Sequence, residues 1–215
     1  MKVLKFGGSS VGDAGRIRIV KKITESGPQQ IVIVVSAFKG VTDSLKLAGE
    51  TAARHDLQYK ELLSEIINKH RTVCDERLTS AALENVRDET ERIFTELSET
   101  LNGLYLLREL SNYSLDKILS TGERLSSIIT SAYFEKSIHI DAREIIKTDN
   151  NYGNANVDFD LTDSLIKKKL NRLKGIVIVP GFIAGTKNNE TTTMGRGGSD
   201  YTAAIIAAAL NAEAL

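Results

Sequence analysis

The feature that most constrains the fold of this sequence is an unbroken β-branched run, Ile31-Val32-Ile33-Val34-Val35, entered through Gln30 and broken by Ser36-Ala37-Phe38-Lys39-Gly40. A strand with no polar residue on either face has to be covered on both, which is the condition of an interior strand in a parallel sheet flanked by helices. The preceding segment has the same form. Residues 3–6 make a short strand-like run that meets Gly7-Gly8-Ser9-Ser10, after which Val11, Ile17, Ile19, Val20 and Ile23 follow a helical period up to Gly27-Pro28. A second helix opens near Thr42. Two consecutive units of strand, loop and helix predict an α/β fold with a mainly parallel sheet and right-handed crossovers.

The middle of the chain reads differently. Between Gly49 and Gly122 the only glycine is Gly103 and there is no proline, so nothing punctuates a long, charged, amphipathic region. Leu62, Leu63, Ile66, Ile67, Val73 and Cys74 mark one apolar face, and Leu83, Val86, Ile93, Leu97, Leu101 and Leu104 a second, with a turn over 75–80. This predicts a helical hairpin inserted into the α/β domain at about 54–112, serving packing or a dimer face. Beyond it, a helix is expected over 125–134, strand over 138–146, polar loop over 152–160 and helix over 161–173. A buried strand follows over 175–179, then a loop over 180–198 holding five glycines, and a last helix from Ser199-Asp200. Residues 212–215 supply neither strand nor cap, so the domain is expected to continue past Leu215.

Charge and composition exclude several functions. Lys+Arg and Asp+Glu both number 28, which leaves no net attraction to nucleic acid or to an acidic membrane. The single cysteine, Cys74, excludes an internal disulfide and a multi-cysteine metal site, and reads as an inert packed thiol. His55, His70 and His139 lack metal-ligand spacing, and no metal-binding residue is assigned. No apolar run approaches the roughly 18 to 20 residues that span a bilayer, and residues 2–6 read as strand, not leader, so a soluble cytoplasmic protein is expected.

In open α/β sheets, ligands bind beyond the carboxyl ends of the strands, where helix N-termini present free N–H groups. The residues at such turns are Lys5 with Gly7, Gly8, Ser9 and Ser10; Ser36 to Thr42; Ser120-Thr121-Gly122-Glu123; and Gly195-Arg196-Gly197-Gly198-Ser199-Asp200. Glycines, hydroxyls, the cations Lys5 and Arg196 and the carboxylates Glu123 and Asp200 suit a phosphate plus a small zwitterion. Each also has a plain structural reading. The glycines fit any tight corner, Thr42 and Ser199 fit helix caps, Asp200 fits a helix dipole, and Ser120 with Glu123 has capping-box spacing. Two familiar motifs fail. After Gly7 to Gly12 come Asp13 and Ala14 in place of the P-loop Lys and Ser/Thr, and serines occupy the glycine positions of a dinucleotide fingerprint.

Lys5-Phe6-Gly7-Gly8-Ser9-Ser10-Val11 resembles the opening signature of aspartate kinases, K-F-G-G-T-S-V, with serine for threonine at Ser9. Residues 193–202, Thr-Met-Gly-Arg-Gly-Gly-Ser-Asp-Tyr-Thr, resemble the family's T-L-G-R-G-G-S-D-Y-T, and residues 120–123 resemble its S-x-G-E. With Val35-Ser36-Ala37 and Thr42 these lie in family order along the whole chain, and the helical insertion resembles that of lysine-sensitive and bifunctional aspartate kinase–homoserine dehydrogenase forms.

The resemblance implies the amino-acid kinase fold, a three-layer αβα sandwich, and transfer of the ATP γ-phosphoryl group to the β-carboxylate of L-aspartate. It implies catalytic roles for Lys5 and Asp200, phosphate contacts from Lys5, Gly7, Gly8, Ser9 and Ser10, and aspartate contacts from Thr42, Glu123, Arg196, Gly197, Gly198 and Ser199. Mg²⁺ would be held mainly through ATP phosphates. The nucleoside-binding part and regulatory ACT domains would follow Leu215, so the 215-residue piece alone is expected to be inactive, and the full-length protein to be a homo-oligomer. The rival readings are another amino-acid kinase of this fold and a non-catalytic binding or assembly module.

Overall fold

The computed structural model describes residues 1–25, 30–75, 80–134 and 136–214. Its main sheet has the order β1 (Lys2–Phe6), β2 (Gln30–Val35), β5 (Gly175–Pro180), β3 (Ile138–His139), with every pair parallel. The β-branched run is the interior strand β2, and its side chains alternate between two cores. Ile31, Ile33 and Val35 enter one with α1 (Ala14–Glu25), α2 (Val41–Ala53), α3 (Tyr59–Asp75), α4 (Ser80–Leu107) and α5 (Asn112–Ala132). Val32 and Val34 enter the other, with α6 (Ala142–Ile145), α7 (Phe159–Leu170) and α8 (Gly198–Ala209). This is the expected αβα sandwich. Each fully buried aliphatic side chain contributes about 1.5 to 3 kcal/mol relative to exposure, so β2 alone fixes the register of the layers.

The predicted hairpin is formed by α3 and α4. Val86, Ile93, Leu97, Leu101 and Leu104 are buried against Leu63, Ile66, Val73 and Cys74 in the same core. Residues 76–79 of the expected turn, and the side chain of Leu83, lie outside the described residues.

Five expectations are corrected. The helix predicted from 125 begins at Asn112, where Ser111 Oγ accepts from the Ser114 N–H at 3.2 Å, so residues 120–123 lie inside α5 and not at its start. Gly122, read as punctuation, is a close-packing residue, since a Cβ there would stand 2.9 Å from Ala37 Cβ. Residues 138–146 are not one strand. Asp141 caps the short α6, accepting from Arg143 N–H, before β4 (Lys147–Thr148) resumes. The long loop over 180–198 contains β6 (Ile183–Thr186) and β7 (Thr191–Thr193), an antiparallel pair that forms a second sheet with β4. Finally, Ala214 bridges Lys2 in parallel, with Val3 N–H donating to Ala214 O at 3.1 Å, so the segment read as lacking strand character pairs with β1. Among the described residues no helix is long and apolar enough to cross a membrane.

Candidate active site

The carboxyl ends of β1, β2 and β5 open toward one cleft. Lys5 stands near the end of β1, opposite Val34. The chain then turns, with Ser10 N–H donating to Gly7 O at 2.8 Å, and Lys39 N–H ties the loop after β2 to Gly8 O at 3.2 Å. Gly8 has no room for a side chain, because a Cβ would fall 2.3 Å from Ala37 O. A Cβ on Gly7 would instead stand 3.7 Å from Lys5 Nζ, so this glycine leaves the lysine head uncrowded. Arg16 Nη1 donates to Ser9 O and holds the turn from outside.

The cleft has a volume of about 290 Å³ and is lined by Lys5, Ser36, Thr42, Glu123, Phe182 and residues 195–200. It brings together Lys5, Thr42, Glu123, Arg196, Gly197, Gly198, Ser199 and Asp200. Gly7, Gly8, Ser9 and Ser10 do not line it but adjoin it through Lys5. The cap readings of Thr42 and Ser199 are replaced, since Gly40 (φ 81°) and Gly197 (φ 77°) cap α2 and α8 and leave both hydroxyl residues in the first turns. Ser120 is no capping partner of Glu123 either, as its hydroxyl donates to Lys117 O inside α5.

Phe182 was not anticipated. It follows β5 with φ 66°, in the left-handed region that costs a non-glycine residue on the order of 1 kcal/mol, and its N–H donates to Thr202 Oγ1 at 3.0 Å. Its ring meets the start of α8, where a Cβ on Gly198 would lie 2.8 Å from Phe182 Cδ2. Within a segment read as featureless glycine loop, no periodicity could have singled it out.

Four ionisable side chains give the cleft its character. Lys5 Nζ pairs with Asp200 Oδ1 at 2.8 Å, and because the Asp200 side chain is 71% exposed the pair aims the lysine more than it stabilises the fold. Among the described residues no carboxylate pairs with Arg196. Glu123 is buried, its Oε1 accepts from Ala37 N–H at 3.3 Å, and its Oε2 has no hydrogen-bond partner. Burial pushes its carboxyl up to about 8. A buried acid with one unpartnered oxygen, facing a polar cleft, is ready to accept a cation.

Other titratable groups do not converge. His70 is buried and stacked on Phe38, its imidazole pulled down to about 4 by desolvation, and the Cys74 thiol is pushed up to about 11 for the same reason. A larger cleft of about 630 Å³ along β3 contains paired charges, Arg143 with Asp141 and Lys169 with Glu144. Among the described residues no three His, Cys, Asp or Glu side chains are grouped to hold a metal ion.

The parallel sandwich presents a lysine and a glycine-flanked arginine to one polar cleft, with a glycine turn adjoining it, and the chain belongs to the amino acid kinase family, whose profile matches residues 1–215. Within that family it is similar to aspartokinases. It is 35% identical over 224 residues to the chloroplastic aspartokinase 1 of Arabidopsis thaliana, covering 97% of this chain and 38% of the relative. It is 30% identical over 225 residues to the bifunctional aspartokinase/homoserine dehydrogenase of Buchnera aphidicola, covering 99% and 27%. In three dimensions it matches E. coli aspartokinase III in complex with aspartate and ADP, at a TM-score of 0.88 and 30% identity, over 99% of this chain and 47% of that one. The chain thus spans between about a quarter and a half of the length of these relatives.

Proposed function

We propose that the cleft binds L-aspartate and that the protein is an aspartate kinase, forming 4-phospho-L-aspartate from ATP. The observation that carries this reading is the convergence of Glu123, Arg196 and Lys5 on one small cleft. An unpartnered buried carboxylate suits the substrate ammonium, and a guanidinium without a carboxylate partner suits its α-carboxylate in a bidentate grip. Thr42, Gly197, Gly198 and Ser199 close the pocket around the remaining atoms. That leaves the β-carboxylate toward Lys5.

In the proposed reaction a β-carboxylate oxygen forms a bond to the γ-phosphorus as the bond to the β,γ-bridging oxygen breaks, and ADP leaves. The attacking carboxylate is already ionised, so no general base is needed, and the chain's task is positioning and charge neutralisation. Lys5 offsets the charge on the transferring group, Asp200 keeps Lys5 aimed, and the backbone N–H groups of Gly7, Gly8 and Ser9 contact phosphates together with the Ser10 hydroxyl, the Ser10 N–H being held by Gly7 O. The open side of Gly7 beside Lys5 Nζ fits that use. Magnesium, carried on the ATP phosphates, would supply further charge neutralisation.

Trapping the acyl phosphate with hydroxylamine, in the longest natural form of the protein, tests this reading. Aspartate- and ATP-dependent hydroxamate should form. Lys5→Met should lower kcat by about 10² to 10³ with aspartate KM little changed. Arg196→Lys keeps the charge but loses the planar fork, so aspartate KM should rise while ATP KM holds. Absence of hydroxamate from wild-type protein would contradict the assignment, and exchanged signatures in the two variants would reverse the roles of the two cations.

A further inference from the structure

Asp116 is nearly inaccessible, at 1% exposure, and sits on α5 seven residues before Glu123. Seven residues are almost two helical turns, so both carboxylates lie on one stripe of the helix about 10 Å apart along its axis. Asp116 does not line the cleft. Its Oδ1 accepts from Thr193 Oγ1 at 2.6 Å, and its Oδ2 accepts from Thr193 N–H and from Gly153 N–H, each at 2.9 Å. No cation pairs with it among the described residues; burial raises its carboxyl above the ordinary range, and these three donors act against that rise.

Those donors occupy the approach to Arg196. Thr193 ends β7 three residues before the arginine, and its carbonyl accepts from Ala155 N–H at 3.0 Å. Between them Gly195 (φ 69°) lies against the same neighbouring loop, where a Cβ would stand 2.6 Å from Asn154 Oδ1. Asp116 thus fastens both the strand that delivers Arg196 and the loop on which its turn rests. We infer that Asp116 is a positioning residue for Arg196, making α5 the common frame for both ends of the bound amino acid, Glu123 directly and Arg196 through Thr193 and Gly153. This rests on the aspartate-binding reading for its effect on substrate, but the mechanical link does not.

The test is therefore double. Asp116→Asn keeps the side-chain shape, but the amide has one acceptor oxygen and turns N–H groups toward N–H and O–H donors. In the folded variant, amide hydrogen exchange at residues 152–154 and 194–198 should accelerate at least about 10-fold, while β1, β2 and α2 keep wild-type protection. Aspartate KM should rise about 10-fold or more, with ATP KM unchanged and kcat within about 2-fold. Thr193→Val, which deletes one of the three bonds, should act in the same direction by about 3-fold, and it decides the matter if Asp116→Asn does not fold. Unchanged exchange at residues 194–198 in either folded variant would overturn the inference and leave Asp116 a purely structural tie. Wild-type protein that bound no aspartate would instead overturn the proposed function, with the exchange result still deciding the role of Asp116.

Discussion

The wall of the cleft built from residues 195–198 and the wall built from α5 obtain their properties in opposite ways. On the first, Gly195 (φ 69°) and Gly197 (φ 77°) adopt left-handed backbone, and Gly198 lies against the Phe182 ring where a Cβ would be 2.8 Å away. The backbone shape is the device, and only glycine meets it without strain. On the second, the backbone of α5 is ordinary helix. The behaviour of Glu123 comes from what packs around it, above all the loop after β2, whose Ala37 gives it a backbone donor and lies against Gly122. Turn chemistry is local, whereas a buried helical carboxylate is made by tertiary structure.

Stability against pH should separate the walls most strongly. Glu123 has a folded-state carboxyl raised from 4.5 to about 8, so between those values the folded protein holds a proton that the unfolded chain has released. Its stabilising contribution is complete below pH 4.5 and is lost as pH rises through about 8. Urea unfolding should show a decline on the order of a few kcal/mol across this window, and Glu123→Gln should flatten it. An equal slope in the variant would assign the decline to other groups.

Substitutions at glycine should sharpen the contrast further. Gly8→Ala drives a Cβ into Ala37 O, a backbone atom, and should destabilise by roughly 2 kcal/mol. Gly103→Ala, inside α4 with nothing within 4 Å of the added carbon, should stabilise by about 0.5 to 1 kcal/mol. Chemical denaturation of both variants checks the pair, and a loss at Gly103 equal to that at Gly8 would remove the distinction between a glycine required by close approach and one that merely interrupts a helix.

The same contrast sets what was legible in the sequence. The run over 31–35 announced an interior strand because its burial on both faces is written in every residue, and the glycine turns around Lys5 and Arg196 were visible because strand-to-helix corners demand those residue types. The two unpunctuated helices α3 and α4 followed from period alone. Residues 120–123 were misread as a turn because Gly122 looks like punctuation until Ala37 and Leu45 are seen packed against it. Asp116 gave no signal, since its partners Gly153 and Thr193 lie 37 and 77 residues away. The strands β6 and β7 were hidden by the five glycines around them.

The central claim, that the helical wall and the turn wall together bind an α-amino acid, is tested most directly by calorimetric titration of L-aspartate at pH 7 in buffers of different ionisation enthalpy. In the free protein Glu123 holds its proton at that pH, and an ammonium partner favours the ionised form. Wild-type protein should therefore bind one equivalent with release of close to one proton, and Glu123→Gln should bind at least about 10-fold more weakly with none released. Equal affinity in the two proteins, or wild-type binding with no proton released, would contradict the account.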